Sequence, residues 1–82
     1  MSPWWVYILR CNDRTLYTGI TTDLDERLAS HRNGTASKYT RGRCPLRLVY
    51  QEPHPDRSSA SKREAAIKKL SRSDKLALIR RR

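Results

Sequence analysis

No apolar run in this chain is long enough to cross a bilayer, which excludes a membrane-spanning helix. The chain opens Met1-Ser2-Pro3-Trp4-Trp5 without a basic leader, so cytoplasmic residence is expected. Cysteine is scarce. Cys11 and Cys44 can form at most one bridge, and in a reducing compartment they are expected as free thiols. Cys11, His31, Cys44 and His54 lack the paired ligand spacing of a zinc site, which argues against one. No segment repeats, which excludes a solenoid. Length is short as well: 82 residues leave room for one domain, 1–82, with a thin core. A domain of this size hides only about 60% of the surface its unfolded chain exposes. A bound partner is therefore expected in a shallow groove.

Acidic residues are few. Eight Asp and Glu stand against 18 Lys and Arg, a net charge of +10. The imbalance is uneven: residues 1–26 carry two basic and four acidic side chains, residues 27–82 sixteen basic and four acidic. Such asymmetry points to a face built for a polyanion, and nucleic acid leads, because clustered Lys and Arg displace the counterions of phosphates. The basic segments lack a continuous bulky apolar face, which argues against an anionic membrane.

What is present begins with "WWVYIL" (4–9), apolar on both alternating sets and so read as a central strand covered on both faces. Asn12-Asp13-Arg14 supplies a turn, and "LYTGIT" (16–21) a second strand. A three-residue loop places Tyr7 and Tyr17 on one face. Gly19 marks a bulge or a close approach by another backbone or a ligand. Residues 21–34 read as a helix capped by Thr22 or Asp23 and stopped at Asn33-Gly34, with Leu24, Leu28 and His31 facing inward. Residues 35–45 form a basic loop carrying Lys38, Arg41 and Arg43, and residues 46–51 a third strand. "EPHPD" (52–56) is expected as a connector. A helix follows over 57–70, capped by Asp56 or a serine at 58 or 59, with Ala60, Ala66, Ile67 and Leu70 as its apolar stripe and Glu64 at the edge of that stripe. Ser73-Asp74 then caps a short basic helix over 73–82.

Tyr7, Tyr17, Arg27 and a lone Glu64 together supply the groups that metal-assisted phosphodiester hydrolysis uses. A hard divalent cation often takes only one or two carboxylates and completes its shell with water and substrate phosphate. An arginine can fork onto the scissile phosphate. An ordinary tyrosine, with a pKa near 10, needs a nearby positive charge to act as a base.

Tyr7 in "VYI", "YTG" at 17–19, Arg27 in "ERLASH" and a glutamate in a later helix resemble the GIY-YIG nuclease family, in particular its small stand-alone members of the YhbQ type. The resemblance spans about Pro3 to Leu70 and implies an α+β fold, a three-stranded antiparallel sheet flanked by helices in the order ββαβαα. It implies an endonuclease cutting nucleic-acid phosphodiester bonds with one divalent metal, Mg²⁺ or Mn²⁺, with DNA favoured over RNA and structured or damaged DNA among the substrates. Carried over, Tyr17 is the favoured general base with Tyr7 supporting it or trading roles, Gly19 admits the substrate, Arg27 binds phosphate, His31 assists and Glu64 holds the metal. Lys38, Arg41, Arg43 and Lys68 are the expected contacts to substrate. The first motif reads Trp5-Val6-Tyr7 without its glycine, and Thr18 replaces the central isoleucine. Ile20 stands where several members have lysine, and no asparagine follows Glu64.

Blander assignments compete at each position. Paired tyrosines can be cross-strand packing, Arg27 can pair with Asp23 and Glu64 with Lys68, and His31 can be a hydrogen-bonded core histidine. A binding module that does not cut, or a subunit that takes its specificity from a protein partner, fits the same charge pattern.

Overall fold

A computed structural model of the chain describes residues 3–81. Met1, Ser2 and Arg82, which belong to the expected N-terminal entry and to the end of the basic last helix, lie outside the described residues. The elements run β1 (Trp4–Arg10), β2 (Leu16–Thr21), α1 (Leu24–Arg32), β3 (Arg47–His54), α2 (Arg57–Lys68) and α3 (Arg72–Arg80). The order ββαβαα holds, and the sheet is antiparallel in the order β2-β1-β3.

β1 is central, as its double apolar alternation requires. Val6 and Ile8 on one face pack with Tyr50, Ala60 and Ile67, and α3 adds Leu78 and Ile79. Tyr7, Leu9 and Cys11 on the other face pack with Leu46 and are flanked by Tyr17 and by Leu24 and Leu28 of α1. Helices thus cover both faces. The hairpin turns through Asn12-Asp13-Arg14: Arg14 N–H donates to the Cys11 carbonyl (2.9 Å), Cys11 N–H donates to the Thr15 carbonyl (2.9 Å), and Arg14 has φ 69°. A left-handed third residue is the usual way to close a three-residue loop.

The caps show where sequence signals were sharp. Asp23 accepts from the Glu26 N–H and Asp56 from the Ser59 N–H, so of the caps considered for α1 and α2 the aspartates are used. Asn33 and Gly34 (φ 79°) end α1. Two boundaries and one packing face differ from expectation. β3 continues through Glu52, Pro53 and His54, where a connector was expected. It is an edge strand, so a proline can be accommodated where its nitrogen faces the unpaired side. The last helix begins at Arg72 with Ser71 as its cap, because the Ser71 hydroxyl accepts from the Asp74 N–H (3.1 Å). Ala66 is exposed, so the inner stripe of α2 narrows to Ala60 and Ile67, with Leu70 half-buried beyond it.

Candidate active site

The hairpin register sets Tyr7 opposite Gly19 and Leu9 opposite Tyr17. Tyr17 lies two residues from Gly19 on β2, so the two phenols share a face on a diagonal, with ring centroids 6.4 Å apart. Gly19 is where the register and the side chains meet. A Cβ built there would sit 2.5 Å from the Tyr7 Oη and 2.7 Å from its Cζ. The close approach at Gly19 is made by the Tyr7 phenol. The glycine is buried.

Tyr7 is 1% exposed, and its Oη lies 2.8 Å from Nε2 of His31, itself 1% exposed. His31 Nδ1 lies 2.8 Å from Thr40 Oγ1, and the Thr40 hydroxyl donates to the Ser37 carbonyl (3.3 Å). A carbonyl can only accept, and a hydroxyl has one proton, so the direction of the whole chain follows. Thr40 accepts from Nδ1–H, Nε2 carries the lone pair, and the Tyr7 hydroxyl donates to it. Ionisation preferences agree with this assignment. Burial, then the Tyr17 phenol, pushes the Tyr7 pKa well above the ordinary value; Glu64 adds to the rise and Arg27 opposes it. Burial, then the Arg27 charge, lowers the His31 pKa. Tyr7 stays protonated and His31 stays neutral.

Tyr17 is the half-buried phenol of this face. Its ring lies 5.1 Å from His31 and 5.7 Å from Tyr39, which is 40% exposed. Arg43 sets its guanidinium 4.4 Å over the Tyr39 ring, donates to the Tyr39 carbonyl and reaches Asp13 Oδ2 (3.0 Å). The basic loop is thereby fastened to the hairpin tip.

Arg27, half-buried on α1, and Glu64 on α2 both lie close enough to Tyr7 to bear on its ionisation. Among the described residues, Arg27 forms no ion pair with Asp23, while Glu64 does pair with Lys68 (3.3 Å). Tyr7, Tyr17 and His31 are thus in direct contact, with Arg27 and Glu64 acting on Tyr7 electrostatically. The expected substrate contacts are more dispersed. Lys38 is exposed, Arg41 donates to the Gly34 carbonyl (3.1 Å), Arg43 serves the loop, and Lys68 serves Glu64.

For a metal, Glu64 is the carboxylate on offer, with a side chain 23% exposed. Among the described residues no three of His, Cys, Asp and Glu cluster as a cage. An oxygen donor of this kind, open to solvent, suits a hard cation that keeps most of its water, and does not suit zinc. His31 and His54 are both engaged elsewhere, His54 with Ser59 (2.6 Å) and Glu52 (3.0 Å).

Sequence reasoning missed Tyr39, Thr40 and the network around Glu52. Glu52 takes hydrogen bonds from Tyr50 (2.5 Å) and Arg63 (2.7 Å) besides His54, and these outweigh burial to lower its pKa. Alternation of Tyr50, Glu52 and His54 on one strand was the available signal, and the expected connector at Glu52 concealed it.

The fold and the Tyr7–Tyr17–His31 cluster define an α+β domain with a compact polar centre on one sheet face. Residues 3–77 match the family model described as the GIY-YIG catalytic domain, and the chain belongs to that family. Its relatives include the UPF0213 protein CPE1444 of Clostridium perfringens, 52% identical over 92% of this chain and 81% of the relative. UPF0213 protein SH2523 of Staphylococcus haemolyticus is 46% identical over 100% of both chains. The solution NMR structure of EF2693 from E. faecalis superposes with a TM-score of 0.69 at 39% identity, covering 98% of this chain and 85% of that one. That of the UPF0213 protein BH0048 from Bacillus halodurans gives 0.61 at 46% identity over 93% and 81%.

Proposed function

We propose that this chain is a metal-dependent endonuclease of the cytoplasm that hydrolyses nucleic-acid phosphodiester bonds, DNA in preference to RNA. The observation that carries the reading is the division of labour between the phenols. Tyr7 is closed off beneath Gly19 and spends its proton on His31, so the half-buried Tyr17 is the phenol left to meet a substrate.

In this reading Tyr17 takes the proton of the attacking water, and the Tyr7–His31–Thr40 chain holds the Tyr17 ring in place from below. Arg27 binds the scissile phosphate and stabilises the charge that grows on it. Glu64 would hold a divalent cation, Mg²⁺ or Mn²⁺, which when bound supplies Lewis-acid stabilisation of the phosphate and leaving oxygen. Lys68 leaves Glu64 to make way and becomes available to phosphate, while Lys38 and Arg41 steer the strand. A protein partner supplying specificity is compatible with this arrangement.

A second reading is a binding module that uses the same basic surface without cutting. The Glu64–Lys68 pair favours it, because the carboxylate is already neutralised. Glu64→Ala separates the two. Loss of cleavage by at least 100-fold with strand affinity retained supports the enzyme, on the scale of about 2.7 kcal/mol of transition-state stabilisation. Cleavage unchanged by Glu64→Ala removes Glu64 from the mechanism, and no metal-dependent cleavage by the native protein favours the module.

A further inference from the structure

The hairpin tip and the start of β3 enclose an open cavity of about 380 Å³. Arg10, Arg14, Arg47 and Asn12 line it over a floor that includes Cys11 and Leu46, and no acidic residue is among its walls. We propose that this cavity is a second phosphate site, holding a backbone phosphate of the bound nucleic-acid strand away from the scissile position.

Three features of the local structure carry this. First, Arg10 and Arg47 sit directly opposite each other across β1 and β3. Like charges in that relation are destabilising unless an anion lies between them. The pairing follows from the irregularity between Ile8 and Leu9: Ile8 faces Tyr50 and Leu9 faces Leu48, so Val49 is the extra residue. Without that bulge the register would set Arg10 against Leu48 and take the two arginines apart. Bulges commonly re-aim a side chain next to a working site.

Second, Arg14 occupies a left-handed backbone position, φ 69°, where glycine or asparagine would be at ease. An arginine there brings a third cation to the cavity at a cost in backbone strain.

Third, the local acid is already spent. Asp13 is bound by Arg43 through Oδ2 (3.0 Å) and by Thr15 through Oδ1 (2.6 Å). Among the described residues, Arg10, Arg14 and Arg47 have no carboxylate within ion-pairing distance. Three arginines without a carboxylate partner at one open cavity supply the charge that a phosphate oxyanion takes.

Its position relative to Tyr7 and Tyr17 assigns the source of the phosphate. Arg10 stands three residues beyond Tyr7 on β1, roughly 10 Å at 3.3 Å per residue. The surface between is continuous, because Asn12 N–H donates to the Arg43 carbonyl (2.8 Å) and Arg43 packs on Tyr39, which stacks on Tyr17. Arg10 and Arg47 leave the sheet on the face opposite Tyr7 and Tyr17, so a strand lying across Tyr17 and Tyr39 reaches them by passing round the hairpin tip. The placement of the strand rests on the proposed nuclease site, whereas phosphate binding by the cavity does not.

The test is binding of a short single-stranded oligonucleotide in chelator, followed by fluorescence anisotropy as a function of salt. Arg10→Gln, Arg47→Gln and Arg14→Gly are each expected to weaken binding about threefold to tenfold at low salt and to reduce the slope of log K against log salt by about 0.7 per arginine. Arg14→Gly is also expected to raise Tm, since glycine relieves the left-handed position. A residue with only a structural role would not lower affinity while raising stability. Lys75→Gln on α3 removes one charge elsewhere and is expected to change the slope by less than half as much.

Arginine Nε–H resonances, titrated with inorganic phosphate and then with the oligonucleotide, distinguish the sources. Shifts at these arginines with both ligands, the oligonucleotide binding tighter, support the strand site. Shifts with inorganic phosphate but an unchanged oligonucleotide slope in the variants overturn the strand assignment. An effect of Lys75→Gln as large as the arginine variants, or no shift with either ligand, overturns the site itself. Chelator removes metal-dependent cutting, so failure of the nuclease reading would appear in Glu64 and Tyr17 variants and leave these outcomes interpretable.

Discussion

Gly19→Ala isolates the contact on which the polar centre depends. Gly19 is not among the residues with positive φ, so alanine meets no backbone penalty there. On propensity alone, replacing a strand glycine by alanine should stabilise by about 0.5 to 1 kcal/mol. The packing dictates the opposite sign. The new Cβ would lie 2.5 Å from the Tyr7 Oη and 2.7 Å from Cζ, with Tyr7 locked at 1% exposure. Overpacking of this kind costs about 1 to 3 kcal/mol. Moving the phenol also strips the buried His31 Nε2 of its donor at 2.8 Å, which adds about 1 to 3 kcal/mol for an unsatisfied group. After the propensity gain, a net loss of about 1 to 5.5 kcal/mol remains, and each kcal/mol lowers Tm by about 4 to 8 °C in a domain of this length. Thermal unfolding followed by circular dichroism reads this directly. Tyr7→Phe in the same chain removes the nearer of the two clashing atoms and should return part of the loss. An alanine variant as stable as the parent, or more stable, would refute the packing of Tyr7 against Gly19.

The remaining expectations concern pH, a cap and an ion pair. His31 has a folded pKa below its unfolded value near 6.5, so its contribution is fully present above about pH 6.5 and is lost as pH falls through the folded value. Tyr7 has a folded pKa above its unfolded value near 10, so its contribution is present below about pH 10 and is lost as pH rises further. Urea unfolding at pH 5, 8 and 10.5 should show the maximum at pH 8, and His31→Gln should flatten the acid side without removing the slope that Glu52 contributes near the carboxylate range. Asp23→Ala removes the oxygen that accepts from the Glu26 N–H and should cost about 1 kcal/mol, read as a Tm loss of about 4 to 8 °C. Lys68→Met breaks an exposed i,i+4 pair and should change stability by no more than about 0.5 kcal/mol. Its effect on Mn²⁺ affinity, measured by electron paramagnetic resonance, should be tighter binding, because Glu64 loses its competing cation.

How far the sequence revealed these features depended on whether the signal was local. Trp4 to Leu9 alternates apolar on both faces, and that pattern alone places β1 in the middle of the sheet. Asp23, Asp56 and Asn33-Gly34 act through bonds a few residues long, so the ends of α1 and the start of α2 were readable. His31 falls on the inner stripe of α1 by helical spacing. Its partners were not readable, because Thr40 reaches it from an irregular loop without periodicity. The role of Gly19 was half legible. A glycine in a strand announces a close approach, but only the register shows that the approaching group is Tyr7. Pro53 misled the reading of β3, since a proline ends a strand in most contexts and an edge position is a property of the sheet. The bulge that opposes Arg10 to Arg47 also depends on pairing between strands distant in sequence, so three arginines spread over residues 10–47 gave no sign of a shared cavity. Arg27 and Glu64 were singled out by residue type and order, and their common influence on Tyr7 emerges only when α1 and α2 are placed on the sheet.

The most direct test of the account is cleavage by the native protein of supercoiled plasmid, single strands, branched duplexes and short RNA. Each reaction is run with Mg²⁺ or Mn²⁺ and with chelator, beside Tyr17→Phe and Glu64→Ala. The account predicts metal-dependent cutting of at least one DNA substrate, lost with either substitution while both variants remain folded. Binding with a steep salt dependence and no cutting of any substrate with either metal would contradict it.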